Sequence, residues 1–487
     1  MAERRIKMIG RKEEVRTLND RYNNDEAEFV AVYGRRRVGK TYLVNETFKD
    51  RITFRHAGLS PVEMSESEGN SPLQKQLKHF YNSLLLHGMK KSKCPSDWLE
   101  AFFMLEMFLQ SMDNGSKQLV FIDELPWLDT SKSGFITGLE AFWNNWACHR
   151  HNFMLVVCGS ATSWIVDKLI NNHGGLYNRL TCEIKLSPFT LCECEEFFEE
   201  KHISMSRYDI VQSYMIFGGI PYYLNYFQNG LSLAQNVDNI LFKKNAPLKS
   251  EFDRLFMSTF NNPEYVTEII RLLYTKNAGF TRIEIAQKTG RSNGGNLTAS
   301  LNSLIASNFI IKYVPFGMGK RDGCYKLIDP FCMFYLKFVE NQDFPSQSLW
   351  QENQASHAVT AWRGFAFENV CFNHIEQIKE ALGIRGVISR QSAWSKREDD
   401  KDGTQIDLLI DRNDNIVNMC EIKFYSKEFT VTKEYDRILR NRRSLLSQEL
   451  SPKKGIHNTI ITTFGVSYNE YKWSFDRIVT MDSLFGK

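Results

Sequence analysis

The chain has 487 residues, of which 43% are hydrophobic and 24% charged, and its formal net charge is +4. This length exceeds what a single hydrophobic core supports, so we expect three or four domains. No apolar run reaches the length of a membrane span and the N-terminus lacks the apolar core of a signal peptide, so we expect a cytoplasmic protein with no membrane partner. The net charge is too small to indicate nucleic acid by itself, and ten scattered cysteines without zinc spacing are typical of reduced thiols.

The first strong motif is a phosphate-binding loop. Residues 34–41 read GRRRVGKT, follow the apolar, strand-like run 28–33 and precede a segment with helical spacing. Gly34 and Gly39 allow backbone N–H groups to surround phosphates at a helix N-terminus, which indicates ATP as the ligand. Lys40 supplies a charge for the β- and γ-phosphates, and Thr41 supplies a hydroxyl ligand for Mg²⁺. We predict nucleotide binding by Gly34, Arg35, Arg36, Arg37, Val38, Gly39, Lys40, Thr41 and Tyr42; an ordinary glycine turn is the alternative.

Residues 9–14, IGRKEE, open a helix just before this loop. The opening resembles the adenine-side segment of AAA-type ATPases, which implies nucleotide contacts from Gly10 and Arg11. A plain amphipathic helix is the alternative. After the loop we expect a second strand at 51–54 and a long, mostly helical insertion at 60–117.

A second strong motif follows this insertion. Residues 118–124, QLVFIDE, predict a buried strand that ends in two acids. Ligands bind at the carboxyl ends of strands in open α/β sheets, and burial of the strand does not explain two acids there. We therefore expect Asp123 to hold Mg²⁺ and Glu124 to polarise the attacking water.

Two further polar residues belong to the same expected core. Ser160 ends the apolar run 153–159 and fits a sensor that hydrogen-bonds near the γ-phosphate, although serine is also a favoured helix N-cap. Arg179 occupies the place where AAA-type proteins keep an arginine finger, a resemblance that implies action on a neighbouring subunit's nucleotide and hence a homo-oligomer. A surface arginine fits this position equally well.

The sequence GGIP at 218–221 predicts a tight turn between two helices of a lid. Taken in order with the loop, FIDE, CGS and YNRL, it resembles the archaeal-type ATPases of the STAND branch of the AAA-like group. In that branch a G-x-P element packs near the adenine, which implies nucleotide binding by Pro221. A helix–helix corner is the alternative.

Residues 262–335 predict a winged helix, with three helices followed by a strand hairpin at 309–314 and 325–328. The third helix, 296–307, would be the one that reads DNA, yet it contains no Lys or Arg. Phosphate contacts need cations, which in this domain leaves Arg291, Lys312, Lys320 and Arg321. We interpret the domain as structural or regulatory, with DNA binding as the alternative.

A strand hairpin formed by 405–410 and 416–423 carries the candidate chemistry of the C-terminal region. Pairing the strands about their turn places Asp407 opposite Glu421, with Lys423 on the same face. Two facing carboxylates repel each other unless a divalent cation lies between them. Glu368 on the preceding helix could complete such a ligand set.

This arrangement resembles the PD-(D/E)xK nuclease fold, which ATPases of the STAND branch often carry at the C-terminus. The resemblance implies that Asp407, Glu421 and Glu368 bind Mg²⁺ while Lys423 orients or activates water. Ile406 stands where the motif has proline, and a degenerate, non-cleaving relative or a surface ion-pair patch is the alternative. Five cations of the following helix could contact a phosphate backbone or simply face solvent: Lys433, Arg437, Arg440, Arg442 and Arg443.

We expect an α/β fold with a P-loop AAA-like ATPase core at 1–190, a helical lid at 191–260, a winged helix at 261–340, a linker at 341–358 and a restriction-endonuclease-like α/β domain at 359–487. The expected function is an ATPase that uses ATP and Mg²⁺ and whose nucleotide state controls a nuclease-like domain acting on DNA. The alternative is a non-cleaving, ATP-dependent switch or scaffold that binds DNA or a protein partner.

Overall fold

The computed structural model describes residues 8–65, 71–160, 162–171, 174–260, 262–319, 323–340, 346–398 and 401–486. The chain forms two compact units, each built from several stretches of sequence. The first unit spans 1–188, 253–264 and 299–308, and the second spans 189–252, 265–298 and 309–487. The division into five segments expected from the sequence stays a prediction.

The first unit is built on a parallel sheet. Its strands, within the described residues, are β1 Glu28–Tyr33, β2 Ile52–Ala57, β3 Gln118–Asp123, β4 Phe153–Gly159 and β5 Cys182–Lys185, in the order β2-β3-β4-β1-β5. Every residue of β3 and β4 is buried, as parallel strands with both faces covered require. Because neighbouring strands are parallel, the carboxyl ends of β1, β3 and β4 share one edge, where the predicted site residues follow.

Helices accompany this sheet in the first unit. They are α1 Lys12–Tyr22, α2 Lys40–Phe48, α3 Pro61–Ser65, α4 Pro72–Leu86, α5 Trp98–Ser111, α6 Phe135–Asn145 and α7 Thr162–Ile165. The insertion 60–117 is mostly helical as predicted, since α4 begins with a capping box at Ser71 and α5 with a cap at Asp97. Both helices contribute aromatic rings to the core, and the Phe80 and Trp98 ring centroids lie 5.6 Å apart, edge to face.

The chain between 189 and 340 is mostly helical and contributes to both units. Its helices are α8 Leu191–Glu200, α9 Arg207–Phe217, α10 Pro221–Leu224, α11 Leu233–Val237, α12 Glu251–Thr259, α13 Pro263–Tyr274, α14 Arg282–Lys288, α15 Gly295–Ala306 and α16 Pro330–Phe338. The predicted turn at 218–221 joins α9 to α10, and both of its glycines have positive φ, 67° at Gly218 and 66° at Gly219.

The segment 262–335 has the element order predicted from the sequence. The helices α13, α14 and α15 are followed by the antiparallel strands β7 Ile310–Tyr313 and β8 Cys324–Leu327. A short strand before α14, β6 Phe280–Thr281, also pairs with β8. The elements are confirmed, whereas the identity of the segment as a winged helix stays a prediction.

A helix lies where the sequence indicated a linker. The described residues 346–358 contain α17 Leu349–Asn353, whose Trp350 is only 2% exposed. The Asp238 carboxylate accepts hydrogen bonds from two backbone N–H groups at the start of this helix, at 2.8 and 3.2 Å. One buried tryptophan and a cap from a distant residue thus place a short helix within this polar stretch, and its role as a linker stays a prediction. Residues 341–345 lie outside the described residues.

The C-terminal part of the second unit is a mixed sheet. The strands found in its described residues are β9 Ser389–Glu398, β10 Lys401–Arg412, β11 Ile416–Lys423, β12 Gly455–Thr462 and β13 Arg477–Thr480, in the order β13-β12-β11-β10-β9. The pairs β9–β10 and β10–β11 are antiparallel, whereas β11–β12 and β12–β13 are parallel. The helices of this part are α18 His357–Asn373, α19 Ile375–Ala381 and α20 Lys433–Ser447. Leu439 and Leu446 of α20 join Ile406 and Ile460 of the sheet in one core.

Across the described ranges, no helix combines the length and the apolar character that crossing a membrane requires. The cytoplasmic location expected from the sequence stays a prediction.

Candidate functional site

The turn after β1 has the backbone geometry of a phosphate-binding loop. Gly34 has φ of 143°, and a Cβ atom there would lie 2.2 Å from the carbonyl oxygen of Leu186, so only glycine fits. Gly39 has φ of 93° and directly precedes Lys40, the first residue of α2. The first N–H groups of a helix lack partners within the helix, so the start of α2 presents donors to an anion.

Lys40 is a buried cation at the start of α2. Only 6% of the residue is exposed, and its Nζ donates hydrogen bonds to the carbonyl oxygens of Gly34 and Arg35 at 3.1 and 3.0 Å. Burial lowers the pKa of Lys40, and the nearby Glu124 carboxylate opposes that shift. A bound phosphate would replace these carbonyl partners with stronger, charge-assisted hydrogen bonds.

Thr41 and Asp123 meet at the edge of the sheet. Oγ1 of Thr41 donates to Oδ2 of Asp123 at 2.6 Å, and Oδ1 accepts from the backbone N–H of Glu124 at 2.9 Å. Burial raises the pKa of Asp123, while the hydrogen bond from Thr41 opposes that shift. A hydroxyl and a carboxylate oxygen are hard donors of the kind that Mg²⁺ prefers, so this pair fits the predicted metal site.

Glu124 is held by the residue that follows the neighbouring strand. Its backbone is left-handed, with φ of 44° and ψ of 45°. Oγ of Ser160 donates to Oε1 of Glu124 at 2.5 Å, and the Ser160 N–H donates to Oε2 at 3.1 Å. The sequence assigned Ser160 to the γ-phosphate and missed this partner, because the contact depends on the pairing of β3 with β4.

Three outlying candidates belong to the same unit. Arg11 has φ of 56°, is 8% exposed and donates a hydrogen bond from its guanidinium to the Ser187 carbonyl at 2.6 Å. It therefore fixes the segment after β5, and nucleotide contacts by Gly10 and Arg11 stay predictions. Tyr42 is 45% exposed and Arg179 is exposed on the turn before β5, so the arginine-finger role also stays a prediction.

The family described as "ATPase domain predominantly from Archaea" matches residues 8–227, which include the loop, both acids and Ser160. The chain carries an archaeal-type ATPase domain. The uncharacterized protein MJECL04 of Methanocaldococcus jannaschii is 26% identical over 445 residues, which cover 89% of this chain and 91% of the relative. An uncharacterized ATP-binding protein of the same organism, MJ0423, is 37% identical over 46 residues, which cover 9% of this chain and 78% of that protein.

Two solved structures match a part of the chain that is longer than residues 8–227. The Walker-type ATPase PABY2304 of Pyrococcus abyssi covers 68% of this chain and 97% of its own, with a TM-score of 0.45 and 19% identity. The ORC2 protein of Aeropyrum pernix covers 69% of this chain and 98% of its own, with a TM-score of 0.43 and 13% identity. Similarity at this level carries no argument about function, so the assignment of the ATPase domain depends on the family match.

Pro221 lies within the matched residues but belongs to the second unit. It is the first residue of α10, a position whose N–H has no partner within the helix, so the N–H that proline lacks is not needed there. At Gly219, two residues earlier, a Cβ atom would lie 2.2 Å from the Phe189 carbonyl oxygen, so this sharp turn requires glycine. The turn is confirmed, and the adenine contact of Pro221 stays a prediction.

Beyond the ATPase domain, the C-terminal hairpin has the register expected from the sequence. Leu408 of β10 pairs with Cys420 of β11, so the next residues along each strand, Asp407 and Glu421, face each other. Burial raises the pKa of Asp407, while the Lys423 ammonium opposes that shift and Glu421 adds to it. These side chains therefore interact as the motif predicts.

Glu421 is fully buried and already compensated by a cation. Nη1 of Arg442 donates to both carboxylate oxygens at 2.5 and 2.6 Å, and the Tyr435 hydroxyl donates to Oε2 at 2.8 Å. Within the described residues, no three His, Cys, Asp or Glu side chains come together as a metal site. The expected ligand set of Glu368, Asp407 and Glu421 is therefore not assembled, because α20 supplies to Glu421 the charge that a metal was expected to supply.

Glu368 and Asp407 remain as an interacting pair. Glu368 is 9% exposed, and burial together with the Asp407 charge raises its pKa to about 7. Nδ2 of Asn277 donates to Oε2 of Glu368 at 2.9 Å, and the Lys326 cation also opposes the shift. Sequence reasoning did not assign Asn277 or Lys326 to this site, and the one signal for Lys326 was a lysine within the strand Cys324–Leu327.

Four of the seven described cations that were expected to contact phosphate form ion pairs with carboxylates. Ion pairs join Arg291 to Glu268, Arg437 to Glu434, Arg440 to Asp436 and Arg442 to Glu421. Lys312, Lys433 and Arg443 are exposed, and Lys320 and Arg321 lie outside the described residues. The third helix of 262–335 thus gains no cation from the fold, and DNA reading by that helix stays a prediction.

Proposed function

We propose that this chain binds ATP together with Mg²⁺ at the loop after β1 and hydrolyses the nucleotide. The observation that carries the proposal is the contact of 2.6 Å between Oγ1 of Thr41 and Oδ2 of Asp123, at the edge where β1 and β3 end. These two oxygens would hold the ion, which neutralises charge on the phosphates when it is bound. The family match supports nucleotide binding by the same residues.

Each residue of the site has a separate task in this proposal. The backbone N–H groups of 34–41 would donate to phosphate oxygens, and Nζ of Lys40 would leave its two loop carbonyls for the β- and γ-phosphates. Glu124 would accept a proton from the water that attacks the γ-phosphorus while the bond to the bridging oxygen breaks. The two hydrogen bonds from Ser160 would orient its carboxylate for that transfer.

Two substitutions separate nucleotide binding from chemistry. Lys40→Ala is expected to abolish ATP binding in calorimetry, because it removes the cation that faces the phosphates. Glu124→Gln is expected to keep ATP binding and to slow phosphate release by about 10²-fold or more, the usual contribution of a positioned base. Glu26→Gln, an exposed site in the same unit, serves as the control. Hydrolysis by Glu124→Gln at the wild-type rate would show that the proposed base is wrong.

We further propose metal-dependent cleavage of DNA by the C-terminal sheet as a second candidate function. Burial raises the pKa of both Glu368 and Asp407, and the Asp407 charge raises that of Glu368 further, so two carboxylates are held together at a cost. A divalent cation between them would relieve that cost, and two carboxylates are suitable ligands for it. Lys423, with Nζ 3.7 Å from Glu421 at the end of β11, would orient the attacking water.

A cleavage assay on plasmid and oligonucleotide DNA with Mg²⁺ or Mn²⁺, with and without ATP, tests this second function. Asp407→Ala and Lys423→Ala are expected to abolish cutting, whereas Asp414→Ala in the exposed turn of the hairpin should leave it unchanged. Cutting that depends on ATP would support control of this domain by the nucleotide state. If the protein binds ATP but cuts nothing in any nucleotide state, the alternative of a non-cleaving switch or scaffold replaces the nuclease.

A further inference from the structure

A cleft in the second unit lies directly against the Glu368–Asp407 pair. Its volume is about 980 Å³, and its walls come from the turn 276–279 and the β7–β8 hairpin on one side and from α18, β9 and β10 on the other. The charged residues that line it are two carboxylates, Glu368 and Asp407, and four cations, Lys276, Lys312, Lys326 and Arg390. Lys276 is paired with Glu284 at 3.4 Å, but the other three cations still outnumber the two carboxylates, and this excess of positive charge in a concave site favours an anionic ligand.

Lys326 is the buried cation of this cleft. It is 6% exposed, and its Nζ lies 4.8 Å from the centroid of the Phe372 ring. Among the described residues, none accepts a hydrogen bond from this ammonium, although Glu368 and Asp407 are close enough to raise its pKa against the effect of burial. Because this side chain is more than nine-tenths buried, lines the cleft and donates no hydrogen bond to a described residue, its position favours an anion in the cleft as its partner.

We propose that Lys326 binds a phosphate of a single DNA strand and thereby presents the adjoining phosphodiester to Glu368 and Asp407. This inference rests on the DNA-cleaving function proposed above for the C-terminal sheet. Lys312 and Arg390 are exposed and would contact flanking phosphates, and the exposed Lys276 would leave its ion pair with Glu284 to do the same. The site would thus combine a buried cation for one phosphate with exposed cations for its neighbours.

The size of the cleft distinguishes a single strand from a duplex. Pockets of roughly 300–1,000 Å³ hold ligands of the size of a few nucleotides at most. The two strands of a B-form duplex border a major groove about 12 Å wide and 8.5 Å deep, so both strands cannot enter a cleft of about 980 Å³ together. The substrate class is therefore a single-stranded end or gap rather than an intact duplex.

The proposal also assigns a role to the segment 262–335. Its third helix carries no cation with which to bind a phosphate backbone. The same segment, however, supplies Lys326 to the cleft and the Asn277 amide to Glu368. It acts as one wall of a composite site rather than as a separate reader of duplex DNA.

The test measures binding of a short, fluorescein-labelled DNA single strand to the full chain by anisotropy, in EDTA so that no cleavage occurs. Lys326→Met is expected to weaken binding and to lower the slope of log affinity against log salt by about 0.7, the value for one lost contact to a single strand. Arg390→Gln provides a second variant that does not disturb the core, because this side chain is exposed. Lys288→Met, an exposed lysine of the same segment outside the cleft, is the matched control.

The outcomes separate this inference from the function on which it rests. Unchanged affinity and slope in Lys326→Met and Arg390→Gln, or an equal change in Lys288→Met, would overturn it. A duplex that binds through Lys326 as tightly as the single strand would overturn the substrate class. If the wild type cleaves DNA and the variants bind the strand as it does, the proposed role of the cleft is wrong and the nuclease function stands. If the variants lose strand binding but the wild type never cleaves DNA, the cleft binds the strand and the nuclease function is wrong.

Discussion

The Glu124 carboxylate is held in place by Ser160, and Ser160→Ala tests what that contact contributes to hydrolysis. The substitution removes the hydroxyl that donates to Oε1 at 2.5 Å and keeps the backbone N–H that donates to Oε2 at 3.1 Å. A hydrogen bond to a charged group contributes about 1.5–3 kcal/mol. If that free energy orients the carboxylate towards the attacking water, its loss lowers kcat roughly 10- to 150-fold. ATP affinity should not change, because Lys40 and Thr41 keep their positions.

Steady-state phosphate release gives kcat, and calorimetry gives the ATP affinity of the same preparations. Ser111→Ala, an exposed serine of the same unit, should match the wild type in both measurements. An unchanged kcat in Ser160→Ala would refute the argument that Ser160 acts through Glu124. A parallel loss of kcat and ATP affinity would instead favour a direct contact of Ser160 with the γ-phosphate.

Three further substitutions test the packing around the two sites. Arg442→Ala leaves a fully buried carboxylate without its partner and should lower the free energy of unfolding in urea by about 3–5 kcal/mol. Arg443→Ala, at an exposed position, should change that free energy by less than about 0.5 kcal/mol. Equal effects of the two substitutions would contradict the role of the ion pair. Because the pKa of Glu368 is about 7 in the folded chain against an ordinary 4.5, the folded state holds more protons in this interval and loses stability as pH rises through it. Glu368→Gln should therefore raise the melting temperature in EDTA at about pH 8 and not below pH 4.5, whereas a pH-independent difference would contradict this. Gly34→Ala places a Cβ 2.2 Å from a carbonyl oxygen and should impair ATP binding and thermal stability, whereas Gly364→Ala, with no atom within 4 Å of the new Cβ, should do neither.

The residues of the candidate ATPase site could be found from the sequence because their signals are local. The loop at 34–41 and the acids that end β3 each lie within a few residues of the strand that positions them. The partner of Ser160 could not be predicted in the same way. Its contact with Glu124 depends on two strands lying side by side, and residues 36 positions apart in sequence show no pattern of their own.

The second unit shows a different limit of sequence reasoning. The hairpin register followed from the period of two in a strand, which placed Asp407 opposite Glu421. The cations of α20 looked equally suited to solvent and to phosphate, and only the packing of α20 on the sheet shows that Arg442 points to a buried acid. Burial of Lys326 was equally hidden, because a strand pattern does not reveal which polar side chain faces another segment.

The acids at the end of β3 and the acids of the C-terminal sheet differ in the groups that contact them, and this difference affects their chemistry. At the end of β3, hydroxyl and N–H groups hold Asp123 and Glu124, so hydrogen bonds orient the acids without neutralising them. In the C-terminal sheet, Arg442 neutralises the charge of Glu421. Glu368 and Asp407 are then the acids whose negative charge can bind a cation. Because the pKa of Glu368 is about 7, that pair is fully charged only above neutrality. Affinity for a divalent cation at the C-terminal pair should therefore rise with pH through 7, and titration of Mn²⁺ binding in Glu124→Gln and Glu368→Gln would assign that rise to one site or the other.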